Sequence, residues 1–147
     1  MEKTEQYRLL ERQVAALVEG ETDVIAKMAN IAAALHETFG FWWTGFYRVV
    51  GEELVLGPFQ GPVACMHIPF GKGVCGTAWK RNETVVVPDV EEFPGHIACS
   101  SASKSEIVVP VHGTGGEVTA VLDIDSDRLA TFDEIDKVWL ERIVTLL

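Results

Sequence analysis

The three cysteines of the chain, Cys65, Cys75 and Cys99, are its most obvious candidates for redox chemistry. Cys99 lies three positions after His96, among small residues, in a stretch from 89 to 105 without the pattern of a helix or strand. A thiol is reactive when its surroundings favour the thiolate and a substrate can approach it. We therefore predict Cys99 as a nucleophile and Cys65 as its partner thiol, with buried, inert cysteines as the alternative.

The spacing of the same cysteines argues against a zinc site. The intervals between them are ten and twenty-four residues, and the chain has no Cys-x-x-Cys pair to present two thiolates to one ion. We therefore predict no metal site and no resident cofactor.

A second group of candidate residues is acidic. Asp123 and Asp125 alternate within the segment 122–126, so a strand there places both carboxyl groups on one face. Glu106, at the start of another predicted strand, can join them across the sheet. Crowded carboxylates repel one another, which favours a cationic ligand between them. The alternative is a solvated acidic strand end.

Aromatic residues provide a possible wall for the same site. Trp43 and Tyr47 are four residues apart, so in a strand they share a face. Side chains of this type either belong to the core or line a pocket for a small ligand with an apolar end.

Helices at both ends of the chain frame these candidates. Apolar residues at helical spacing predict a first helix over 4–19, capped by Thr4 and with Leu17 on its buried face, and a second over 24–39. A last helix follows Thr131, whose spacing to Glu134 fits a capping box.

The segments between these helices are rich in aromatic and β-branched residues, which is typical of strands. A hairpin is predicted over 41–50 and 54–56, a short helix after Gly73, and further strands over 65–68, 84–87, 106–111 and 117–124. Short turns join most of them. The expected fold is an α+β domain around a largely antiparallel sheet.

Length and charge narrow the functional classes. The chain has 147 residues, enough for a single domain over 1–147, and its net charge of −10 repels nucleic acid. It begins without the basic and apolar pattern of a signal peptide and has no apolar run of about 18 residues. We therefore expect a cytoplasmic protein that does not interact with membranes.

Six motifs, in order, resemble those of the free methionine-(R)-sulfoxide reductases, which are built on the GAF fold. The resemblance covers nearly the whole chain and includes all three cysteines; the first helix is its least diagnostic part. The motifs are WTGFY at 43–47, LGPFQGPVAC at 56–65, GKGVCG at 71–76, GHIAC at 95–99, SEIV at 105–108 and LDIDS at 122–126.

This resemblance implies a single GAF-type domain with a six-stranded antiparallel sheet flanked by helices, and a closed pocket for one free amino acid. It also implies the reduction of free methionine (R)-sulfoxide, which protects against oxidative damage. Cys99 matches the family's nucleophile, which becomes a sulfenic acid, and Cys65 matches the thiol that resolves it as a disulfide. Cys75 matches a third, auxiliary cysteine.

The resemblance also assigns the substrate residues and the reductant. Glu106, Asp123 and Asp125 match the acidic residues around the substrate and its ammonium group, and Trp43 and Tyr47 match the aromatic residues at the sulfoxide end. Thioredoxin is the implied partner, as an external dithiol, and a homodimer is left open. Two alternatives remain: a GAF module that senses a small ligand without catalysis, and a redox sensor that forms the same disulfide with peroxide.

Overall fold

A six-stranded antiparallel sheet forms the centre of the protein, and helices cover both of its faces. The computed structural model describes residues 1–96 and 102–147, and all statements here concern that part of the chain. In chain order its elements are α1 Lys3–Val18, α2 Val24–Phe39, β1 Trp43–Val50, β2 Glu53–Gln60, β3 His67–Pro69, α3 Gly73–Arg81, β4 Val85–Val87, a 3₁₀ turn Val90–Glu92, β5 Ser105–His112, β6 Val118–Ser126 and α4 Glu134–Val144.

The strands lie in the order β3-β2-β1-β6-β5-β4, and every neighbouring pair is antiparallel. The two central strands, β1 and β6, pair with each other although one lies early in the chain and the other late. This arrangement confirms the α+β class and the six-stranded antiparallel sheet expected from the sequence.

One face of the sheet packs against α1, α2 and α4. Alternation along β1 directs Phe46 to this side, where it is fully buried with Leu35 of α2 and Ile143 of α4. Each such side chain contributes about 1.5–3 kcal/mol through burial. The helical face supplies the larger part of the core and leaves the other face of the sheet for the site.

The opposite face packs against α3 and the loops around it. Its core cluster includes Trp43 and Tyr47 of β1, Val108 of β5, Val121 of β6 and Cys75 of α3. The aromatic and acidic candidates predicted from the sequence therefore belong to this second face.

The predicted helix ends need two corrections. Thr4 does not cap α1, since Glu2 occupies the N-cap position and Thr4 lies within the helix. Leu17 is 55% exposed, and Val18 is buried instead. With 3.6 residues per turn, the residue four positions after Val14 lies on the buried face as readily as the residue three positions after it.

The N-terminus of α4 also differs from the prediction. Asp133, rather than Thr131, caps the helix, and its capping box closes with Asp136 rather than Glu134. Asp136 is almost fully buried and accepts hydrogen bonds from Tyr7 Oη at 2.6 Å and Lys3 Nζ at 2.7 Å. The residue that closes the capping box of α4 therefore also holds α1 against α4. No helix in the described ranges is both long enough and apolar enough to cross a membrane.

Candidate active site

A pocket opens between α3 and the second face of the sheet. Its volume is about 560 Å³ when the open mouth is included. Its walls combine carboxyl groups, aromatic rings, the first turn of α3 and loop residues. The lining residues are Trp42, Trp43, Tyr47, Val63, Ala64, Ile68, Lys72, Gly73, Val74, Cys75, His96, Ser103, Glu106, Asp123 and Asp125.

Sheet register brings the three predicted acids together in this pocket. Asp123 and Asp125 share a face of β6, and Glu106 of β5 is the direct partner of Asp125. On the other side of β6, Asp125 pairs with Trp43 of β1. The prediction that these residues meet across the sheet is confirmed, and the alternative of a solvated strand end is wrong, because Glu106 and Asp123 are only 5% and 6% exposed.

Burial makes these carboxyl groups hard to ionise. It raises the pKa of Glu106 and of Asp125 well above the usual range, and the nearby charge of Asp123 raises both further. Burial also raises the pKa of Asp123, although hydrogen bonds from Glu106 and Cys75 oppose the rise. The cluster therefore retains protons, with Asp123 the member best supported as an anion.

The cluster also has an incomplete set of hydrogen bonds. Ser103 donates a hydrogen bond to Asp125 Oδ1 at 3.2 Å. By contrast, Asp123 Oδ1 is buried without a hydrogen-bond partner in the described ranges. A buried acceptor left unpaired is costly, so this oxygen is set up to receive a donor from a ligand.

The predicted aromatic wall is present beside the acids. Trp43 stacks on Tyr47 with ring centroids 6.0 Å apart and on Phe59 at 5.3 Å. Trp43 Nε1 donates to the carbonyl of Pro62 at 2.9 Å, and Tyr47 Oη donates to the carbonyl of Cys65 at 2.9 Å. The wall therefore also holds the loop between β2 and β3, which carries Cys65.

The cysteines occupy distinct settings. Cys65 is half-buried in that loop, just before β3 rather than within a strand. Cys75 is a free, buried thiol in the first turn of α3. Burial raises its pKa well above the usual value, with further contributions from Asp123 and Glu106, so it is a poor nucleophile. Cys99, the predicted nucleophile, lies outside the described residues.

His96 and the start of α3 contribute features that the sequence did not assign to the pocket. The His96 Nε2 atom lies 4.0 Å from Glu106 Oε1, and burial lowers the pKa of this imidazole, which favours its neutral form. Residues 73–75 line the pocket at the first turn of α3, where backbone N–H groups have no partner within the helix. Such a turn favours an anionic group. A Gly-Lys-Gly turn before a predicted helix was the available signal for it.

The comparisons with known proteins agree with this geometry. A family model described as GAF domain matches residues 20–147. GAF domain-containing protein A of Dictyostelium discoideum is 58% identical over 146 residues, which cover 99% of this chain and 92% of that protein.

Two further relatives carry the name of an enzyme. Free methionine-R-sulfoxide reductase of Escherichia coli K12 is 47% identical over 148 residues, covering 100% of this chain and 89% of that protein. The X-ray structure of free methionine-R-sulfoxide reductase from Neisseria meningitidis in complex with its substrate has a TM-score of 0.97 and 51% identity, covering 99% of this chain and 88% of that one. The chain therefore belongs to the free methionine-R-sulfoxide reductase family, on a GAF domain.

Proposed function

We propose that this protein reduces the R-sulfoxide of free methionine to methionine. The observation that carries the proposal is the acidic cluster of buried Glu106 and Asp123 with half-buried Asp125, beside the stacked Trp43 and Tyr47. A cluster of this kind selects a small molecule with a cationic end and an apolar end. A free amino acid with a thioether-derived side chain has both.

The charges of the pocket support one orientation of the substrate. The ammonium group meets the acids, where it supplies a donor to the unpaired Asp123 Oδ1. The α-carboxylate meets the first turn of α3, with exposed Lys72 at the rim. The methyl sulfoxide end then lies along Trp43. A methionine sulfoxide residue within a peptide has an amide in place of its own ammonium and carries further chain, so the acidic cluster excludes it.

The proposed chemistry starts at Cys99. Its thiolate attacks the sulfoxide sulfur while a carboxyl proton moves to the sulfoxide oxygen, so that methionine leaves and Cys99 becomes a sulfenic acid. Asp125, the register partner of Trp43 and kept protonated by its raised pKa, is the candidate proton donor, since it is the member of the cluster beside the sulfoxide end. The Cys65 thiol then displaces water from the sulfenic acid and forms a disulfide with Cys99.

An external dithiol completes the cycle by exchange with this disulfide, leaving two thiols on this chain and an oxidised donor. We propose thioredoxin as the donor and the cytosol, where dithiol donors are kept reduced, as the compartment. Cys75, buried and with a raised pKa, has no direct step in this scheme. The contact between Tyr47 Oη and the Cys65 carbonyl supports the proposal, since it couples the substrate wall to the resolving loop.

Methionine formation from separated epimers tests this function. The protein is incubated with a dithiol and, in turn, with the R and S epimers of free and peptide-bound methionine sulfoxide. Only the free R epimer should yield methionine. Oxidation of the cysteines by peroxide with no methionine from any epimer would contradict the proposal and favour a redox sensor.

A further inference from the structure

The floor of the pocket holds three side chains that together resemble a metal-binding site. One ligand atom each from Cys75, Glu106 and Asp123 lie within 4.8 Å of one another, and all three residues are buried. Three points no more than 4.8 Å apart fit within a circle of radius 4.8/√3, or about 2.8 Å. A single position therefore exists within about 2.8 Å of all three donors.

That radius is close to the bond lengths of zinc. Zinc lies about 2.3 Å from a thiolate sulfur and about 2.0–2.2 Å from a carboxylate oxygen, so each donor needs to move by at most roughly 0.5–0.8 Å. Rotation of a carboxyl group supplies such a shift.

The character of the donors limits which cation fits. Calcium and magnesium take six or more oxygen ligands and have little affinity for sulfur. Zinc binds both thiolate sulfur and carboxylate oxygen, and its sites are mostly four-coordinate. An independent observation is that Asp123 Oδ1, buried in the same cluster, has no hydrogen-bond partner among the described residues and is free to bind a cation. The cysteine spacing predicted no metal site, because spacing rules look for pairs of Cys or His, and here two strands and a helix bring the donors together.

We propose that the reduced, substrate-free protein binds one zinc-class divalent cation through Cys75, Glu106 and Asp123, and that this cation and the substrate ammonium exclude each other. The protons that these donors carry pass to the buffer on binding, since the ligands must be deprotonated. The first half of the proposal stands on the donor geometry alone, and the exclusion rests on the proposed function. Zinc then acts as an inhibitor of the reduced enzyme, not as its cofactor.

Cobalt(II) tests the binding directly, because thiolate-bound cobalt absorbs in the near ultraviolet. A Cys65→Ser/Cys99→Ser double variant leaves Cys75 as the one thiol of the chain. One equivalent of cobalt should produce the thiolate absorption, zinc should remove it, and a further Cys75→Ser change should abolish it. Absence of the absorption in the double variant, or its persistence without Cys75, would overturn the site.

Carboxylate variants in the same double-variant background test the other donors. Glu106→Gln should weaken cobalt affinity by about 10-fold or more, since it removes a charged ligand. Glu91→Gln, on the exposed 3₁₀ turn, is the matched control and should leave the affinity unchanged. Equal affinity in all three proteins would remove Glu106 from the donor set and contradict the proposed site.

Substrate displacement separates this proposal from the proposed function. Free methionine (R)-sulfoxide should remove the cobalt absorption at concentrations at which glycine, which offers cobalt the same amine and carboxylate groups, does not. No turnover occurs in this variant, so the readout is independent of activity. If methionine sulfoxide displaces cobalt no better than glycine does while the unmodified protein still forms methionine, the exclusion is wrong and the proposed function stands. If the unmodified protein also forms no methionine, the proposed function is wrong as well.

Discussion

Glu106 and Asp125 face each other as direct partners across β5 and β6, a buried acid opposite a half-buried one in an antiparallel pair. Like charges in this position destabilise a sheet when both ionise. Their raised pKa values show how the fold accommodates them, since each keeps its proton at the cost of stability at higher pH. The acidic cluster should therefore lower the free energy of unfolding as pH rises, and this loss is measurable.

Replacing Glu106 with Gln should stabilise the protein at alkaline pH. The pKa of Glu106 is higher in the folded protein than in the unfolded chain, so the folded state holds its proton more tightly. Stability is therefore undiminished below the unfolded pKa and falls as pH rises towards the folded one. Glu106→Gln has no proton to lose. At pH 8 we expect it to be more stable by about 1 kcal/mol or more, with the difference vanishing near pH 4.

Urea unfolding of the reduced protein at several pH values between 4 and 8 measures this difference. Exposed Glu91→Gln is again the control and should show no pH-dependent change relative to the unmodified protein. A stability difference for Glu106→Gln that stays constant across this pH range would show that Glu106 titrates normally.

Two buried tyrosines should separate stability from activity. Tyr7→Phe removes the hydrogen bond to Asp136, a buried carboxylate, and should cost about 1.5–3 kcal/mol with kcat/KM unchanged. Tyr47→Phe removes the bond to the Cys65 carbonyl and should lower kcat/KM with thioredoxin by about tenfold through misplacement of the resolving loop. Urea midpoints and steady-state kinetics measure both. A loss of activity in Tyr7→Phe at full stability would refute this division.

A side chain at Gly45 should both destabilise the protein and disturb the pocket. It lies opposite Asp123 in the register, and an added Cβ would meet Phe59 and come within 2.6 Å of Trp43 Cη2. We expect Gly45→Ala to cost about 1–3 kcal/mol and to raise KM by displacing the Trp43 ring. Gly115→Ala is the control, since the nearest atom there is an end of the exposed Glu117 carboxylate. Thermal unfolding and KM together decide whether the two variants differ as expected.

The sequence predicted those parts of the site that depend only on the alternation of side chains between the two faces of a strand. Asp123 and Asp125 had to share a face of any strand, and so did Trp43 and Tyr47. The placement of Glu106 required a further guess about which strands are neighbours. The motif resemblance supported that guess, and the β5–β6 register confirms it.

Features that depend on tertiary packing could not be predicted in this way. The capping box of α4 and the attachment of α1 to α4 both depend on Asp136, a buried acid that no local pattern distinguishes from an exposed one. The contact of Cys75 with Glu106 and Asp123 depends on where α3 lies over the sheet. Neither of these tertiary contacts is marked by a residue spacing that could be recognised in the sequence.

The identity of the nucleophile is the central claim, and a single-turnover measurement tests it most directly. Fully reduced protein, freed of external thiol, is mixed with excess free methionine (R)-sulfoxide, and methionine is quantified per protein molecule. Unmodified protein and Cys65→Ser should each release one equivalent, because resolution follows the chemical step, and Cys99→Ser should release none. One equivalent of methionine from Cys99→Ser would contradict the account.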